Sequence, residues 1–155
     1  MIAVLQRAAH AAVRVENRTV GEIGGGLLIL LGVAATDTER DAEALVRKIV
    51  RCRIFEDEAG KMNRSLLDVG GSALVVSNFT LLANYTHGNR PDYFGAARPE
   101  VAIPLYEGFC ELMRREGVSV ATGEFGADMR VLLEGDGPVT IVMDSRELTS
   151  GKERT

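Results

Sequence analysis

The chain has 155 residues, 46% hydrophobic and 26% charged, with a net charge of −4. That length supports one domain with a core of its own, and the charge excludes a polycation, so any nucleic-acid contact has to come through a local patch. The longest apolar run, Leu27 to Ala35, is broken by Gly32 and falls well short of the roughly 20 residues a membrane helix needs.

The opening MIAVLQRAAH has no charged segment ahead of a long apolar run, so it is expected to be a strand and not a secretory signal. Strand-period alternation runs through Val13 and Val15, a turn is expected at Asn17-Arg18, and Val20 to Ile23 returns. Gly24, Gly25 and Gly26 lead into LLILLGVAA, which is apolar on both faces and reads as a central covered strand. The glycines lack G-x-G-x-x-G spacing, so no nucleotide loop is expected.

Thr36 to Glu39 has capping-box spacing, with Thr38 a second cap candidate. Ala42, Leu45, Val46, Ile49 and Val50 then recur at helical intervals and predict one amphipathic helix. EDEAGK is a turn, and residues 73–76 (ALVV) form a buried strand that runs into SNFTLL. Residues 83–99 read as a long loop, with Gly88, Pro91, Gly95 and Pro99 as punctuation. A second helix buries Leu105, Phe109, Leu112 and Met113, ends at Gly117, and should hold Pro104 in its first turn. Strands are expected at 118–122, 129–133 and 139–143, the last two joined as a hairpin through a tight turn in LLEGDGPVTIV. Pro138 removes a ladder donor at the mouth of the returning strand, which suits a strand stop or a task of its own. The expected architecture is α+β: a mostly antiparallel sheet with two main helices packed on it. A single domain is expected over 1–145, followed by a polar, frayed tail over 146–155.

Cys52 and Cys110 both fall in predicted helices, and the default reading is a reduced, buried pair in a cytoplasmic protein. His10 and His87 have no Cys or His at ligand spacing, so neither a zinc site nor another cofactor is expected. The densest polar signal is SNFTL, 77–81, followed by Asn84, Thr86, His87, Asn89 and Arg90. Hydroxyls and amides at a strand end suit the orientation of an ester or a ribose, although such residues are also ordinary surface. Thr80 or Ser77 could act as a nucleophile with His87 as base and Asp92 as orienter, and His87 reads equally as an exposed loop residue. Arg47, Lys48, Arg51 and Arg53 suit phosphates or a solvated helix face paired with Glu43. Met129 is core by default.

In this order and with these gaps, SNFTL, GNRPDYF, EFGADM and GDGPVT resemble the D-aminoacyl-tRNA deacylase family. The opening strand, GEIGGGLLILLGV and RIFEDEAGKMN resemble it too, so the similarity reaches to about residue 143. The family's S-Q-F-T-L is matched by Ser77, Phe79, Thr80 and Leu81, with Asn78 in place of Gln. Its N-x-G-P-V-T is matched by Gly137, Pro138, Val139 and Thr140, with Gly135 in place of Asn. Where a basic residue precedes Gly-x-Arg-Pro, this chain has His87.

The resemblance implies a barrel-like sheet and hydrolysis of the ester that joins a D-amino acid to the 3′ end of tRNA, with glycyl-tRNA as a further substrate. It implies a homodimer that acts on tRNA, with neither DNA nor membrane as partner. Catalysis would involve Thr80, Ser77 and Phe79, and substrate binding Asn78, Met129, Gly137 and Pro138. In this family a cis Gly-Pro of one subunit enters the other's pocket, where its carbonyls meet the substrate's α-ammonium and crowd out an L side chain. Thr80 can be a nucleophile, or the terminal ribose 2′-OH can assist while backbone N–H groups at Phe79 and Thr80 hold the oxyanion. The alternatives are a substrate-shifted relative, a non-catalytic protein that binds the tRNA end, and a small esterase indifferent to tRNA.

Overall fold

A computed structural model describes residues 1–150. Strand β1 (Ile2–Val15) is the organising element, because its 14 residues pair with three neighbours. It turns into β2 (Arg18–Ile23) through Glu16 and Asn17, at φ 50° and 61°. Two successive left-handed residues suit a tight hairpin, one position earlier than the Asn17-Arg18 turn expected. Strand β3 (Gly26–Gly32) lies antiparallel to β1 and parallel to β6 (Ser72–Ser77), and β6 is parallel to β7 (Ser119–Thr122). The sheet runs β2-β1-β3-β6-β7, and β2 comes back against β7 to leave it barrel-like and nearly closed. A short hairpin, β4 (Phe55–Glu56) with β5 (Met62–Arg64), stands apart.

Helix α1 (Glu39–Arg51) buries the five residues its periodicity names: Ala42, Leu45, Val46, Ile49 and Val50. Thr38 is its N-cap, and the Asp41 carboxylate accepts from the Thr38 backbone at 2.9 Å. Thr36 is therefore not the cap, and the box closes with Asp41 where Glu39 was expected. A single turn, α2 (Leu66–Val69), leads into β6. Helix α3 (Pro99–Arg115) starts with proline at its first position, earlier than expected, so Pro104 lies in the second turn and not the first. The carbonyl this leaves unpaired belongs to Glu100, an exposed residue that water can reach.

Adjacent residues of the central strands serve two cores. Leu27, Ile29, Leu31, Ala73 and Val75 face α1 and α3 with Phe109 and Met113, whereas Leu28, Leu74 and Val76 fill the barrel with Val13 and Ile23. Strand β3 is covered on both sides, as its composition suggests.

The expected hairpin at 132–142 is absent. Arg130–Asp144 forms one strand, β8, antiparallel to β1 along its length. Its partners step from Ala8↔Gly135 to Gln6↔Thr140, so Arg7 alone faces residues 136–139. The glycine-rich stretch is a bulge in a continuous strand. Residues 146–149, expected to begin a frayed tail, continue from Ser145 as α4 (Ser145–Thr149), tied to α1 by the Ser145 hydroxyl, which donates to Asp41 at 2.7 Å. The remainder of that tail, 151–155, lies outside the described residues. No described helix is long and apolar enough to cross a membrane.

Candidate active site

Strands β3, β6 and β7 are parallel, and their carboxyl ends open into one cleft of about 520 Å³. Ligands gather at such strand ends because the chain there leaves the ladder and frees backbone groups. Val33 follows β3; Ser77, Asn78 and Phe79 close β6; Phe125, Ala127 and Met129 follow β7. The entry to α3 supplies the remaining wall through Ala96, Ala97 and Ala102. Alanines on this wall leave room, while aromatic rings form the rim: Phe79 and Tyr93 meet edge to face, with centroids 5.1 Å apart. Phe79 is 55% exposed, a large apolar ring held at the mouth.

Beyond Asn78 the chain turns into a 3-10 segment, Phe79–Leu82, whose first bond runs from Leu81 N–H to the Asn78 carbonyl at 3.4 Å. The N–H groups of Phe79 and Thr80 precede that bond and have no partner within the turn. Thr80 is exposed, outside the cleft lining, and its hydroxyl donates to the Asn78 side-chain oxygen. That contact fixes Asn78 beside the strand end and gives Thr80 no basic group.

The proposed His87–Asp92 couple is not formed. The Asp92 carboxylate accepts from the Asn84 side chain at 3.2 Å and from the Phe94 backbone at 3.3 Å, and His87 sits exposed on the loop. Both cysteines are unpaired thiols, and burial pushes Cys110 up to about 11, so it stays protonated. Burial also raises the Tyr106 phenol, which remains a neutral donor to the Val75 carbonyl at 2.7 Å and ties α3 to β6 beneath the cleft.

Met129 lines the cleft and is held there by Gly123, where an added Cβ would lie 2.7 Å from the Met129 sulfur. Gly123→Ala should push that sulfur into the cleft and lower kcat/KM several-fold. The expected loss of stability is only about 1 kcal/mol, because a methionine side chain adapts. Equal kcat/KM for the variant and the parent chain would dismiss Met129 as a wall of the working site.

Gly137 and Pro138 are elsewhere. They are exposed, absent from the lining of their own chain's cleft, and joined by a cis peptide bond. Arg7 supports them from behind. Its side chain is 6% exposed, with Nε 3.1 Å from the Asp136 carbonyl and 3.2 Å from its carboxylate. One terminal nitrogen donates to the Ile54 carbonyl at 2.8 Å, and the other lies 3.9 Å from Glu56. Arg7 shares the inward parity of Ala3 and Leu5 on β1, and a charge at a core position is the signal that would have singled it out. Val33, Tyr93 and the alanines carry no such signal.

The family described as D-Tyr-tRNA(Tyr) deacylase matches residues 4–144. A D-aminoacyl-tRNA deacylase of Chloroflexus aurantiacus is 57% identical over 96% of this chain and 92% of its own. One from Thermus aquaticus is 54% identical, covering 95% and 97% respectively. Among solved structures, the c-Myc DNA unwinding element binding protein superposes with a TM-score of 0.89 at 40% identity, covering 93% of this chain and 98% of that one. A probable eukaryotic D-amino acid tRNA deacylase shares the fold at 18% identity, with a TM-score of 0.79 over 92% and 97% of the two chains.

Proposed function

The chain belongs to the D-Tyr-tRNA(Tyr) deacylase family, and on that premise we propose that it hydrolyses D-aminoacyl-tRNA in the cytoplasm, releasing the free D-amino acid and intact tRNA. What carries the reading is the 57% identity to a D-aminoacyl-tRNA deacylase across 96% of the chain. The cleft fits the reaction: it is open at the mouth, has an aromatic rim for a terminal nucleoside, and is bordered by the start of a 3-10 turn in which the N–H groups of Phe79 and Thr80 have no partner within the turn. Water adds to the ester carbonyl, those N–H groups receive the charge on its oxygen, and the 3′-oxygen leaves with a proton. The neighbouring ribose 2′-OH assists, and Ser77, Asn78 and Phe79 hold the substrate in line. Positioning of this kind supplies up to about 7–11 kcal/mol.

The chiral filter in this reading is Gly137-Pro138 of a second copy seated in the cleft. Three features support it: the pair is exposed, it does not line its own cleft, and β8 carries exposed Val131, Leu133 and Val142. Rejection by a clash with the side chain spares any D-residue and cannot reject glycine. D-Tyr-tRNA and Gly-tRNA should therefore lose their amino acid while L-Tyr-tRNA keeps its own. A clash of about 3 kcal/mol gives a difference of roughly 100-fold. Equal release of D- and L-tyrosine would sink the filter, and release of neither would favour a non-catalytic protein that binds the tRNA end. Glycine released far faster than D-tyrosine would instead mark a shifted substrate, for which Asn78, held by Thr80, is the first suspect.

In this mechanism Thr80 is not the nucleophile. Thr80→Ala should retain deacylation within about tenfold, whereas removing a true nucleophile costs on the order of 10⁴-fold or more. Single-turnover rates with D-Tyr-tRNA decide between them.

A further inference from the structure

The outer face of α1 carries a line of cations that the cleft does not use. At 100° per residue, Arg40, Ala44, Arg47, Lys48 and Arg51 fall within a 100° arc of the helix, Glu39 falls away from it, and Glu43 borders the arc beside Arg47. All four basic residues are exposed. They border a groove of about 670 Å³ whose other bank is Leu148 and Thr149 of α4. Arg51 is paired with Glu116 at 3.0 Å. Arg40, Arg47 and Lys48 have no acidic partner within 4.0 Å among the described residues. The line is a local concentration of positive charge in a chain whose net charge is −4, and such a patch attracts polyanions.

We infer that this groove takes the phosphodiester backbone of the tRNA body while the 3′ end occupies the cleft. The inference rests on the reading of the chain as acting at the 3′ end of tRNA. Two dimensions agree with it. The eleven rises from Arg40 to Arg51 span about 16 Å, the length of several phosphates at roughly 3.4 Å per strand along a duplex axis. Arg40 follows the cleft-lining Val33 by seven residues, a reach of at most about 25 Å. On the groove side only the small Ala44 lies between Arg40 and Arg47, and Glu43 borders the other side of Arg47.

The test is the triple variant Arg40→Gln, Arg47→Gln, Lys48→Gln, which leaves the paired Arg51 in place. Binding of uncharged tRNA is read by fluorescence anisotropy across a salt series. Deacylation is read with D-Tyr-tRNA and with 3′-O-D-tyrosyl-adenosine, which has no tRNA body. The expected result is weaker tRNA binding on the order of tenfold, and a log–log salt slope reduced by about 2–3 because that many counterions are no longer released. KM should rise for D-Tyr-tRNA alone, with kcat and the adenosine ester unchanged. Unchanged affinity and slope would overturn the inference and leave the deacylase reading intact, as would an equal rise in KM for both esters. A loss of phosphatidylserine-vesicle binding with tRNA binding unaltered would assign the groove to lipid and also overturn it. If the parent chain releases nothing from D-Tyr-tRNA, the functional reading fails, and the salt slope alone decides the groove.

Discussion

Arg7→Met is expected to lower the melting temperature by roughly 5–15 °C, which for a chain of this size corresponds to about 2–4 kcal/mol. Deacylation should fall further than the loss of folded protein explains. Methionine keeps most of the buried stem and removes the donors, so the experiment isolates polar contacts from packing. The Ile54 carbonyl would lose a 2.8 Å partner at a buried place, and an acceptor stranded there costs about 1–3 kcal/mol. The Asp136 carboxylate is 56% exposed, returns to water on losing its partner, and adds little. Its carbonyl also loses a donor, so the segment 136–139, which faces Arg7 alone across the sheet, is no longer held. Glu56→Gln is the matched control. That pair is 3.9 Å apart with Glu56 60% exposed, so its removal should change stability by less than about 0.5 kcal/mol. Thermal unfolding followed by circular dichroism, with activity measured well below both transitions, separates the two effects. An Arg7→Met protein as stable as the parent would mean that the guanidinium bonds are not formed in solution. One that is destabilised yet fully active would mean that the 136–139 segment plays no part in turnover.

Local information read some of this molecule well and some of it badly, for reasons that can be named. Helix α1 was legible because its five buried residues repeat at the helical period and nothing distant alters that pattern. Its cap was ambiguous because Thr36 with Glu39 and Thr38 with Asp41 offer the same spacing, and Asp41 wins through contacts that also reach Ser145, far along the chain. The false hairpin has the opposite cause. Gly135, Gly137 and Pro138 have turn composition, but β1 is long enough to pair with both halves of β8, and that pairing is a long-range fact. In the cleft, SNFTL and Met129 stood out as polar signal and as resemblance, and the structure brings Ser77, Asn78, Phe79 and Met129 together. Thr80, Gly137 and Pro138 do not line that cleft. The alanines of the α3 wall were invisible because a wall that works by being small has no chemistry to read.

Gly26→Ala is expected to be the most damaging single methyl group in the chain, costing more than about 4 kcal/mol and leaving little soluble protein. Gly26 has φ +153°, a conformation L side chains rarely adopt, and a Cβ there would lie 1.9 Å from the Ser72 carbonyl oxygen and 2.7 Å from its nitrogen. The obstacle is backbone, so no rotamer change relieves it. Neither strand can retreat, because β3 is paired on both sides and Gly26 with Ser72 opens the parallel ladder that aims both strands at the cleft. Strain of about 1–3 kcal/mol from the backbone angle therefore adds to the cost of prising β3 from β6. The neighbouring Gly24 supplies the comparison: it belongs to the same run of three, and a Cβ there meets nothing within 4 Å. Gly24→Ala should change stability by no more than about 0.5 kcal/mol in either direction. Soluble yield and thermal melts of the two variants give the answer. If both behave like the parent, the close approach of β3 to β6 at Ser72 is looser than drawn; if both fail, the run of glycines is needed for a reason other than the contact at Gly26. Loss at Gly26 alone would tie the integrity of the cleft to one missing methyl group at the far end of the strand that leads to it.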